Sequence, residues 1–427
     1  MKVTYWSSTE YSGFLEGLVR ELTYARIPAG QRFQISEGSY RSAKSSCSRL
    51  FLRFRQYVAY PVQLLFVLLK RRVFSYKKVD DVCVVSTNTF YAPLLAICLH
   101  PNVVHLVYDL FPEAMIHSGK WKEGALKVKV VRWITQKTLL RSKCNVFLGQ
   151  RLKDYVESIH GHVPNSIIIP VGADQSLFQV SPKQRLSERD GQGESLIKKP
   201  LGAQKALLHS TLTGHPAPTV LYCGNFGNMH DSETLFHYWK RVSENEGLNK
   251  VALDQSSRFP NSIHQLRWRF HCSGPKRAAL EELFETLSDQ VKATIRIGEG
   301  LSQSEWVETM EQADVALVTM APGAETVVMP SKTYSAMMAG QAILAIAPEE
   351  SDLVDLIKEA NCGWWVKPGD VIGLEQAIAE ILNDSDALLE KRERAFLYAH
   401  KRFGQDSLAK EWIDLIEHLV PNLKPVT

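Results

Sequence analysis

Short apolar runs rich in β-branched residues recur along this chain and alternate with segments of helical character. DVCVVST, NVVHLVYDL and DVALVTM are typical examples. Buried strands that alternate with helices predict a parallel sheet covered on both faces by helices. Polar residues cluster where these strands end, and that edge is where parallel sheets bind ligands.

The alternation occurs twice, which predicts two domains in a chain of 427 residues. A polar stretch with weak periodicity separates the two series. We therefore expect an α/β protein with two Rossmann-like doubly wound domains facing a cleft. The predicted organisation is a first domain at 1–180, a linker or insertion at 181–215, a second domain at 216–402, and a helix within 403–427 that crosses back to the first domain. We further predict a helix near 13–24 and strands at 2–6, 81–87, 102–110, 144–149, 166–172, 219–227, 266–274, 294–300, 314–320, 342–348 and 363–370.

The seven cysteines are far apart and form no C-x-x-C pair and no Cys/His spacing that fits zinc. We interpret them as reduced thiols of a cytosolic protein, and we identify no motif for a metal or a cofactor. The N-terminal stretch lacks the apolar core of a signal peptide. No apolar run reaches the roughly 18 residues that a spanning helix needs.

The formal net charge of +4 is small, but its distribution is uneven. Residues 41–78 contain no acidic residue, and cations bracket the apolar run YVAYPVQLLFVLL. This pattern fits a segment in a membrane interface, or else a core helix flanked by solvated charges. No nucleic-acid-binding module is recognisable. The residues concerned are Arg49, Arg53, Arg55, Lys70, Arg71 and Arg72 with Phe51, Phe54, Tyr57, Tyr60 and Phe66, and a second basic stretch contains Lys120, Lys122, Lys127, Lys129, Arg132, Lys137, Arg141 and Lys143.

The segment VVMPSKTYSAMMAGQAIL contains a lysine at the predicted start of an otherwise apolar helix. Pro330 suits a first helical position, and Ser331 is a candidate cap. Lys332 adds a positive charge where a helix terminus already attracts anions, so the segment predicts a diphosphate site. The alternative is a lysine that extends to solvent from an ordinary helix start.

Two more features lie close to predicted strand ends in the second half. The loop Gly224-Asn225-Phe226-Gly227 would allow a phosphate or sugar to approach the backbone, although it does not have the G-x-G-x-x-G spacing of a dinucleotide site. A simple tight turn is the alternative. Glu325 precedes the lysine segment; near a diphosphate, a carboxylate is favourable if it binds a neutral, hydroxyl-rich group such as a sugar. Otherwise Glu325 is a solvated loop acid.

Polar residues also follow strands near candidate helix starts. Asp109 ends NVVHLVYDL, with Glu113 four residues later. Asp109 is positioned either to orient an acceptor hydroxyl or to cap the next helix. His230 and Asp231 stand before a predicted helix, where a capping aspartate is the simpler interpretation.

Taken in chain order, these motifs resemble those of the retaining glycosyltransferases of family 4, which have the GT-B architecture. The similarity is greatest to bacterial members that build exopolysaccharide and O-antigen units. It covers most of the chain outside roughly 180–215 and 245–265. The segments that carry it are VYDLFPEAM, IIPVGAD, YCGNFGNMHD, ADVALVTM, PSKTYSAMMAG and DLIKEANCGWWVKPGD.

This chain departs from the family's donor-binding pattern at two points. The family's E-x7-E signature has its second Glu in the register of Ser335, the first falls at Val327, and Glu325 lies two residues further back. The Arg/Lys pair that many relatives carry after the glycine loop is missing, which leaves Lys332 as the main expected cation. The resemblance implies catalytic roles for Asp109 and Glu325. It implies substrate contacts, with a base-binding loop at 300–301, for Gly224, Asn225, His230, Ser273, Gly300, Leu301, Ser331, Lys332, Tyr334 and Ser335.

The resemblance implies a hexosyltransferase that moves a sugar, with retention, from a nucleoside diphosphate sugar to a lipid-linked or saccharide acceptor. The role would be cell-surface polysaccharide synthesis at the cytoplasmic face of the plasma membrane, with peripheral membrane contact and no nucleic-acid partner. Two alternatives stay open. A nucleotide-sugar 2-epimerase would need a buried acid/base set that the sequence does not reveal. A non-catalytic sugar-nucleotide-binding or scaffold subunit is compatible with serine at position 335.

Overall fold

The structure, a computed structural model, describes residues 3–7, 29–32, 46–74, 81–87, 89–189, 217–249, 266–327 and 330–420. The helix predicted near 13–24 lies outside these residues. The chain divides into two compact units. Unit 1 comprises Met1–Asp174, Thr326–Met329 and Arg402–Thr427, and unit 2 comprises Gln175–Glu325 and Pro330–Lys401.

The described part of unit 1 contains a six-stranded sheet in which all paired strands are parallel. The strands are β1 (Val3–Trp6), β2 (Ala29–Arg32), β3 (Val82–Ser86), β4 (Val103–Val107), β5 (Cys144–Phe147) and β6 (Ser166–Ile168). Their order is β2-β1-β3-β4-β5-β6. The helices are α1 (Ser46–Phe54), α2 (Tyr60–Phe74), α3 (Ala92–Leu99), α4 (Glu113–His117), α5 (Leu126–Arg141) and α6 (Gln150–His160), with a π-helical turn Arg55–Ala59 between α1 and α2.

Unit 2 also contains a six-stranded parallel sheet among its described residues. The strands are β7 (Thr219–Asn225), β8 (Arg267–Ser273), β9 (Ile295–Gly298), β10 (Val315–Thr319), β11 (Ala342–Ile346) and β12 (Gly363–Val366). The order β12-β11-β10-β7-β8-β9 places the change of winding direction between β7 and β10. In a doubly wound sheet this switch point is the usual ligand site.

The helices of the second half complete the two units. They are α7 (Pro182–Arg189), α8 (Glu233–Asn249), α9 (Pro275–Thr286), α10 (Asp289–Thr294), α11 (Gln303–Gln312), α12 (Lys332–Met338), α13 (Asp352–Ala360), α14 (Val371–Asn383), α15 (Ser385–Arg402) and α16 (Gln405–Leu419). A short 3-10 turn, Gln175–Leu177, precedes α7. No helix in the described ranges combines the length and the apolar character that crossing a bilayer requires.

Helices cover both faces of the first sheet. Successive strand residues point to opposite faces, so Val84 packs in the core that contains α16, while Val85 packs with α2 and α3. On the α16 side, the rings of Trp412 and Tyr5 meet edge to face with centroids 5.4 Å apart. The C-terminal helix therefore contributes to the core of unit 1, with Leu408 and Ile416 fully buried beside the strands.

A cluster of aromatic side chains fills the core of unit 2. Trp239 of α8 packs edge to face on Trp268 and Phe270 of β8, with centroids 5.3 and 5.6 Å apart. Burying rings of this size removes a large apolar area from water. The core fixes α8 and β8, and both elements begin or end at the ligand-binding edge of the sheet.

The structure differs from the prediction at the proposed linker 181–215. Residues Pro182–Arg189 form α7, which packs in unit 2. Ser181 Oγ accepts from the backbone N–H of Gln184, and the Gln184 side chain accepts from the Ser181 N–H. This reciprocal capping explains the helix. The rest of the predicted linker, 190–215, lies outside the described residues.

Candidate active site

The candidate site of unit 2 lies where β7, β8 and β10 end. Parallel strands deliver the segments that follow them to the same edge of the sheet. Residues 224–227 end β7, Ser273 ends β8 opposite Asn225, and the segment after β10 leads to Lys332. This edge gathers Gly224, Asn225, His230, Ser273 and Lys332, five of the residues that the sequence singled out.

Two glycines allow the loops to approach each other closely. Gly224 has φ +131° and Gly274 has φ +103°, values that side chains rarely permit. A Cβ on Gly274 would lie 2.3 Å from Asn225 Oδ1 and 2.8 Å from the Phe226 carbonyl oxygen. The Phe226 N–H donates to the Ser273 carbonyl at 2.6 Å. Gly224 and Gly274 therefore expose backbone at these two strand ends, beside the exposed residues Asn225 and Ser273.

Lys332, the first residue of α12, brings its ammonium group to the glycine loop. Its Nζ donates to the Tyr222 hydroxyl at 2.7 Å and lies 4.0 Å from the centroid of the Tyr222 ring. A Cβ on Gly224 would be 3.9 Å from the same Nζ. Burial lowers the pKa of Lys332 to about 7. A bound anion would favour the charged ammonium and so bind more tightly.

His230 lies beside this ammonium in a neutral form. Its Nδ1 is 2.8 Å from the carbonyl oxygen of Thr319, so Nδ1 carries the ring proton and donates. Burial, reinforced by the charges of Lys332 and Lys276, lowers the pKa of His230 to about 4. The adjacent Asp231 caps α8 by accepting from the backbone N–H of Thr234 at 3.1 Å.

Lys276 is a second cation at the loop that the sequence analysis missed. It donates from Nζ to the His230 carbonyl oxygen, and its backbone N–H donates to the Phe226 carbonyl at 3.1 Å. Burial lowers the pKa of its ammonium group. The signal was available, because SGPK places a lysine after a strand end and a proline, as MPSK does at Lys332. The positive charge at this edge therefore comes from Lys332 and Lys276 together, and not from Lys332 alone.

Gly300 and Leu301 follow β9, the outer strand on this side of the sheet. Gly300 is exposed, and a Cβ built on it would meet no atom within 4 Å. Ser302 then starts α11 with a capping box, in which its N–H donates to Glu305 at 2.9 Å. The capped start of α11 fixes the position of Leu301, and Gly300 leaves open space between β9 and this helix.

Two expectations for the start of α12 are wrong. Ser331 does not cap the helix, because its own backbone is already helical (φ −56°, ψ −24°) and a cap needs an extended residue. Tyr334 is 1% exposed and packs in the interior, so it supports the helix instead of lining the surface. Ser335 is partly buried one residue later.

Glu325, which follows β10, has an incompletely satisfied carboxylate. Its Oε2 atom is buried, and no group in the described part of the chain hydrogen-bonds to it. Leaving a buried carboxylate oxygen unpaired costs free energy. A ligand hydroxyl that donated to Oε2 would remove this cost.

Asp109 of unit 1 follows β4 and does not cap the next helix, since the cap position of α4 is Pro112. Its backbone N–H donates to Thr87 Oγ1 at 3.1 Å, which fixes the residue. The carboxylate retains accessible surface, yet the surrounding protein atoms raise its pKa. Glu113 is fully buried and forms an ion pair with Arg132 at 2.7 Å. Within the described residues, no group of three or more His, Cys, Asp or Glu side chains is arranged to hold a metal ion.

Comparison with known proteins identifies the region that contains the glycine loop and both lysines. Residues 217–384 match the family model of glycosyl transferases group 1. The glycine loop and both lysines therefore lie in the part of the chain that resembles this family. The chain is 38% identical over 289 residues to the "Probable glycosyltransferase WbjE" of Pseudomonas aeruginosa. The alignment covers 68% of this chain and 62% of that relative's length.

Solved structures of glycosyltransferases establish the fold along nearly the whole chain. Anabaena HepE, solved in complex with UDP, superposes with a TM-score of 0.63 over 98% of this chain and 100% of its own, at 12% identity. Sucrose-phosphate synthase of Thermosynechococcus elongatus superposes with a TM-score of 0.63 over 99% of this chain and 100% of its own, at 14% identity. WaaG, a glycosyltransferase involved in lipopolysaccharide biosynthesis, superposes with a TM-score of 0.55 over 97% of this chain and 99% of its own, at 14% identity. The predicted GT-B fold with two Rossmann-like units is confirmed.

Proposed function

We propose that this glycosyltransferase group 1 protein transfers a hexose from a nucleoside diphosphate sugar to an acceptor hydroxyl in cell-surface polysaccharide synthesis. The observation that carries the proposal is the pair Lys332 and Lys276 beside the glycine loop, at the switch point of the unit 2 sheet. Two ammonium groups beside glycines that permit close approach suit a diphosphate. HepE, solved with UDP and with UDP-glucose, supports this donor class, and the name of WbjE supports sugar transfer.

In the proposed reaction, the acceptor oxygen forms a bond to the anomeric carbon of the sugar. The bond from that carbon to the diphosphate oxygen breaks on the same face, which retains the configuration. The electron pair goes to the diphosphate, and the acceptor proton passes to one of its oxygens. Lys332 and Lys276 stabilise the negative charge that develops there, since preorganised cations act most strongly where charge grows.

Further residues receive proposed roles in this scheme. Glu325 would accept a hydrogen bond from a donor-sugar hydroxyl through its unpaired Oε2. Asp109 would orient the acceptor hydroxyl. Gly300 and Leu301 would receive the base in the open space after β9, and Ser335 would take the place of the glutamate that holds the ribose in relatives.

Donor binding tests this proposal. Thermal unfolding of the protein is followed with UDP-, GDP- and dTDP-sugars, because a ligand of the folded state raises its melting temperature. Calorimetry with the stabilising donor then compares Lys332→Ala and Lys276→Ala with Lys240→Ala, a control at an exposed lysine of unit 2. We expect each site variant to weaken binding by about ten-fold or more, as expected for a lost hydrogen bond to a charged group, and the control to bind normally.

Two results would contradict the proposal in different ways. Equal donor affinity of the wild type and Lys332→Ala would remove the diphosphate site from unit 2. Tight donor binding without release of nucleoside diphosphate, whatever acceptor is supplied, would favour a non-catalytic binding subunit.

We also propose that the acceptor is lipid-linked and that unit 1 binds the inner face of the plasma membrane. One side of α2 packs in the core through Tyr60, Leu64 and Leu68. The opposite side is exposed, with Phe66 67% accessible. We name this exposed apolar set of α1, the π-helical turn and α2 the docking surface; it consists of Leu50, Phe51, Phe54, Val58, Val62, Leu65, Phe66 and Leu69.

The second basic stretch supports membrane contact on the same layer of helices. Helix α3 packs against both α2 and α5. On α5, Leu126, Val130 and Trp133 are exposed at helical spacing, and Trp133 is 55% accessible. Lysines and arginines flank both apolar strips. Contiguous exposed apolar side chains bordered by cations suit an anionic lipid surface.

A further inference from the structure

The helical segment 46–74 is interrupted at the π-helical turn Arg55–Ala59. Such turns insert an extra residue, disturb the regular backbone ladder and occur frequently at functional sites. Side chains from the segment after β3 hydrogen-bond to carbonyls of this turn. Thr89 Oγ1 donates to the Gln56 carbonyl at 3.0 Å, and the Tyr91 hydroxyl donates to the Tyr57 carbonyl. The turn is therefore attached to the carboxyl end of the sheet.

Asp109 is attached to the same segment from the neighbouring strand. Strand β4 pairs with β3, and Thr87 Oγ1, at the end of β3, accepts from the backbone N–H groups of Tyr108 and Asp109 at 3.0 and 3.1 Å. Thr87, Thr89 and Tyr91 thus hold both the π-helical turn and Asp109. All of these residues belong to unit 1.

The Tyr57 phenol of the π-helical turn is influenced electrostatically by two charged side chains, those of Asp109 and Arg53. Burial raises the pKa of Tyr57, the nearby carboxylate of Asp109 raises it further, and the nearby Arg53 lowers it. Both charged groups therefore lie near the Tyr57 phenol. In the described part of the chain, no hydrogen bond or ion pair engages the Tyr57 hydroxyl, the Asp109 carboxylate or the Arg53 guanidinium.

We propose that Tyr57 and Asp109 form a subsite that holds the reacting hydroxyl of the acceptor. The Tyr57 O–H donates to the acceptor oxygen, and the Asp109 carboxylate accepts from the acceptor O–H. The oxygen of an alcohol both accepts a hydrogen bond and donates one through its proton, so Tyr57 as donor and Asp109 as acceptor are complementary to an alcohol.

The inference rests on the proposed function, because it assigns the acceptor position of the same reaction. Tyr57 and Asp109 position the hydroxyl before reaction. When the acceptor oxygen bonds to the anomeric carbon, its O–H turns from Asp109 to an oxygen of the leaving diphosphate, which takes the proton. The π-helical turn also lies within the docking surface, which includes Phe54 and Val58 on either side of Tyr57. A lipid-linked acceptor held on that surface would need little extra chain to reach Asp109.

The experiment uses Tyr57→Phe, which removes one oxygen atom. With the donor selected by the binding panel and no acceptor, water takes the acceptor position, and release of nucleoside diphosphate is measured. Phytanyl diphosphate monosaccharides then serve as acceptor probes. We expect both rates to fall by about ten-fold, the effect of one lost hydrogen bond in the transition state. Donor affinity and melting temperature should be unchanged, since the hydroxyl has no described partner in the folded protein.

Tyr398→Phe is the matched control, because it removes an exposed hydroxyl bonded to Glu359 at 2.8 Å in unit 2. Unchanged release and transfer rates in Tyr57→Phe would overturn the inference and leave the proposed function intact. A lower melting temperature with normal rates would assign Tyr57 a structural role and would also overturn it. A wild-type protein that binds no donor, or binds it and never releases nucleoside diphosphate, would overturn the proposed function together with the inference.

Discussion

At the scale of single residues, the fold keeps Lys332 in an environment that opposes its charge. The pKa is about 7 in the folded protein and about 10.4 in an unfolded chain. Between these values the unfolded state binds more protons, so the free energy of unfolding rises with pH. Donor binding would exploit the same feature, because an anionic diphosphate turns an unfavourable buried ammonium into a favourable contact.

The substitution Lys332→Met should therefore stabilise the protein at pH 7, by on the order of 1–3 kcal/mol. It should also flatten the rise in stability between pH 7 and 9. Urea denaturation at pH 7, 8 and 9 measures both effects, and this range avoids the titration of His230, whose pKa is about 4. Lys240→Met, at an exposed lysine, serves as the control and should keep the wild-type slope. Parallel slopes in all three proteins would contradict the buried-charge explanation.

At the scale of elements, the junction of β8 and α9 determines the shape of the glycine loop. Gly274→Ala would place a methyl group 2.3 Å from Asn225 Oδ1 in a backbone with φ +103°. We expect a loss of roughly 1–3 kcal/mol in the free energy of unfolding, and weaker donor binding because Asn225 and Phe226 must move. Urea denaturation and calorimetry check the two effects. Gly124→Ala, where a Cβ meets no atom within 4 Å, should change neither.

The strands and helices themselves were predictable from local sequence pattern, but the order in which the strands pair in the sheet was not. Apolar β-branched runs located β3, β4, β10 and β11, since burial on both faces leaves a continuous apolar signal. The pairing of β7 with β8, which brings Lys276 to the glycine loop, depends on strand order. SGPK marks a lysine after a strand end, but local pattern carries no information on strand order and so could not show that Lys276 reaches the glycine loop.

The π-helical turn shows a second limit of the sequence. Nothing in RQYVA departs from an ordinary helical pattern. The turn is held by Thr89 and Tyr91, more than thirty residues away along the chain. Tyr57 was singled out as an interleaved aromatic of a basic segment, whereas its position near Asp109 required the tertiary structure.

At the scale of the whole molecule, a net charge of +4 is too small to drive general binding to anionic surfaces. The cations Arg53, Arg55 and Lys70 adjoin exposed apolar side chains in unit 1. Electrostatic attraction to anionic lipid and insertion of apolar side chains into the membrane would therefore act at the same place. Each cation near an anionic membrane contributes about 1 kcal/mol, and salt screens this contribution. Apolar insertion is much less sensitive to salt, which allows the two contributions to be separated.

The protein should therefore co-sediment with phosphatidylglycerol vesicles and less well with phosphatidylcholine vesicles. Raising the salt concentration should weaken the anionic binding without abolishing it, because the docking surface still inserts. Phe51→Ser/Phe54→Ser/Phe66→Ser, three exposed positions that leave the core untouched, should remove the salt-resistant fraction. Leu397→Ser, an exposed apolar position of unit 2, should bind like the wild type. If the triple variant also bound normally at high salt, membrane contact through the docking surface would be wrong.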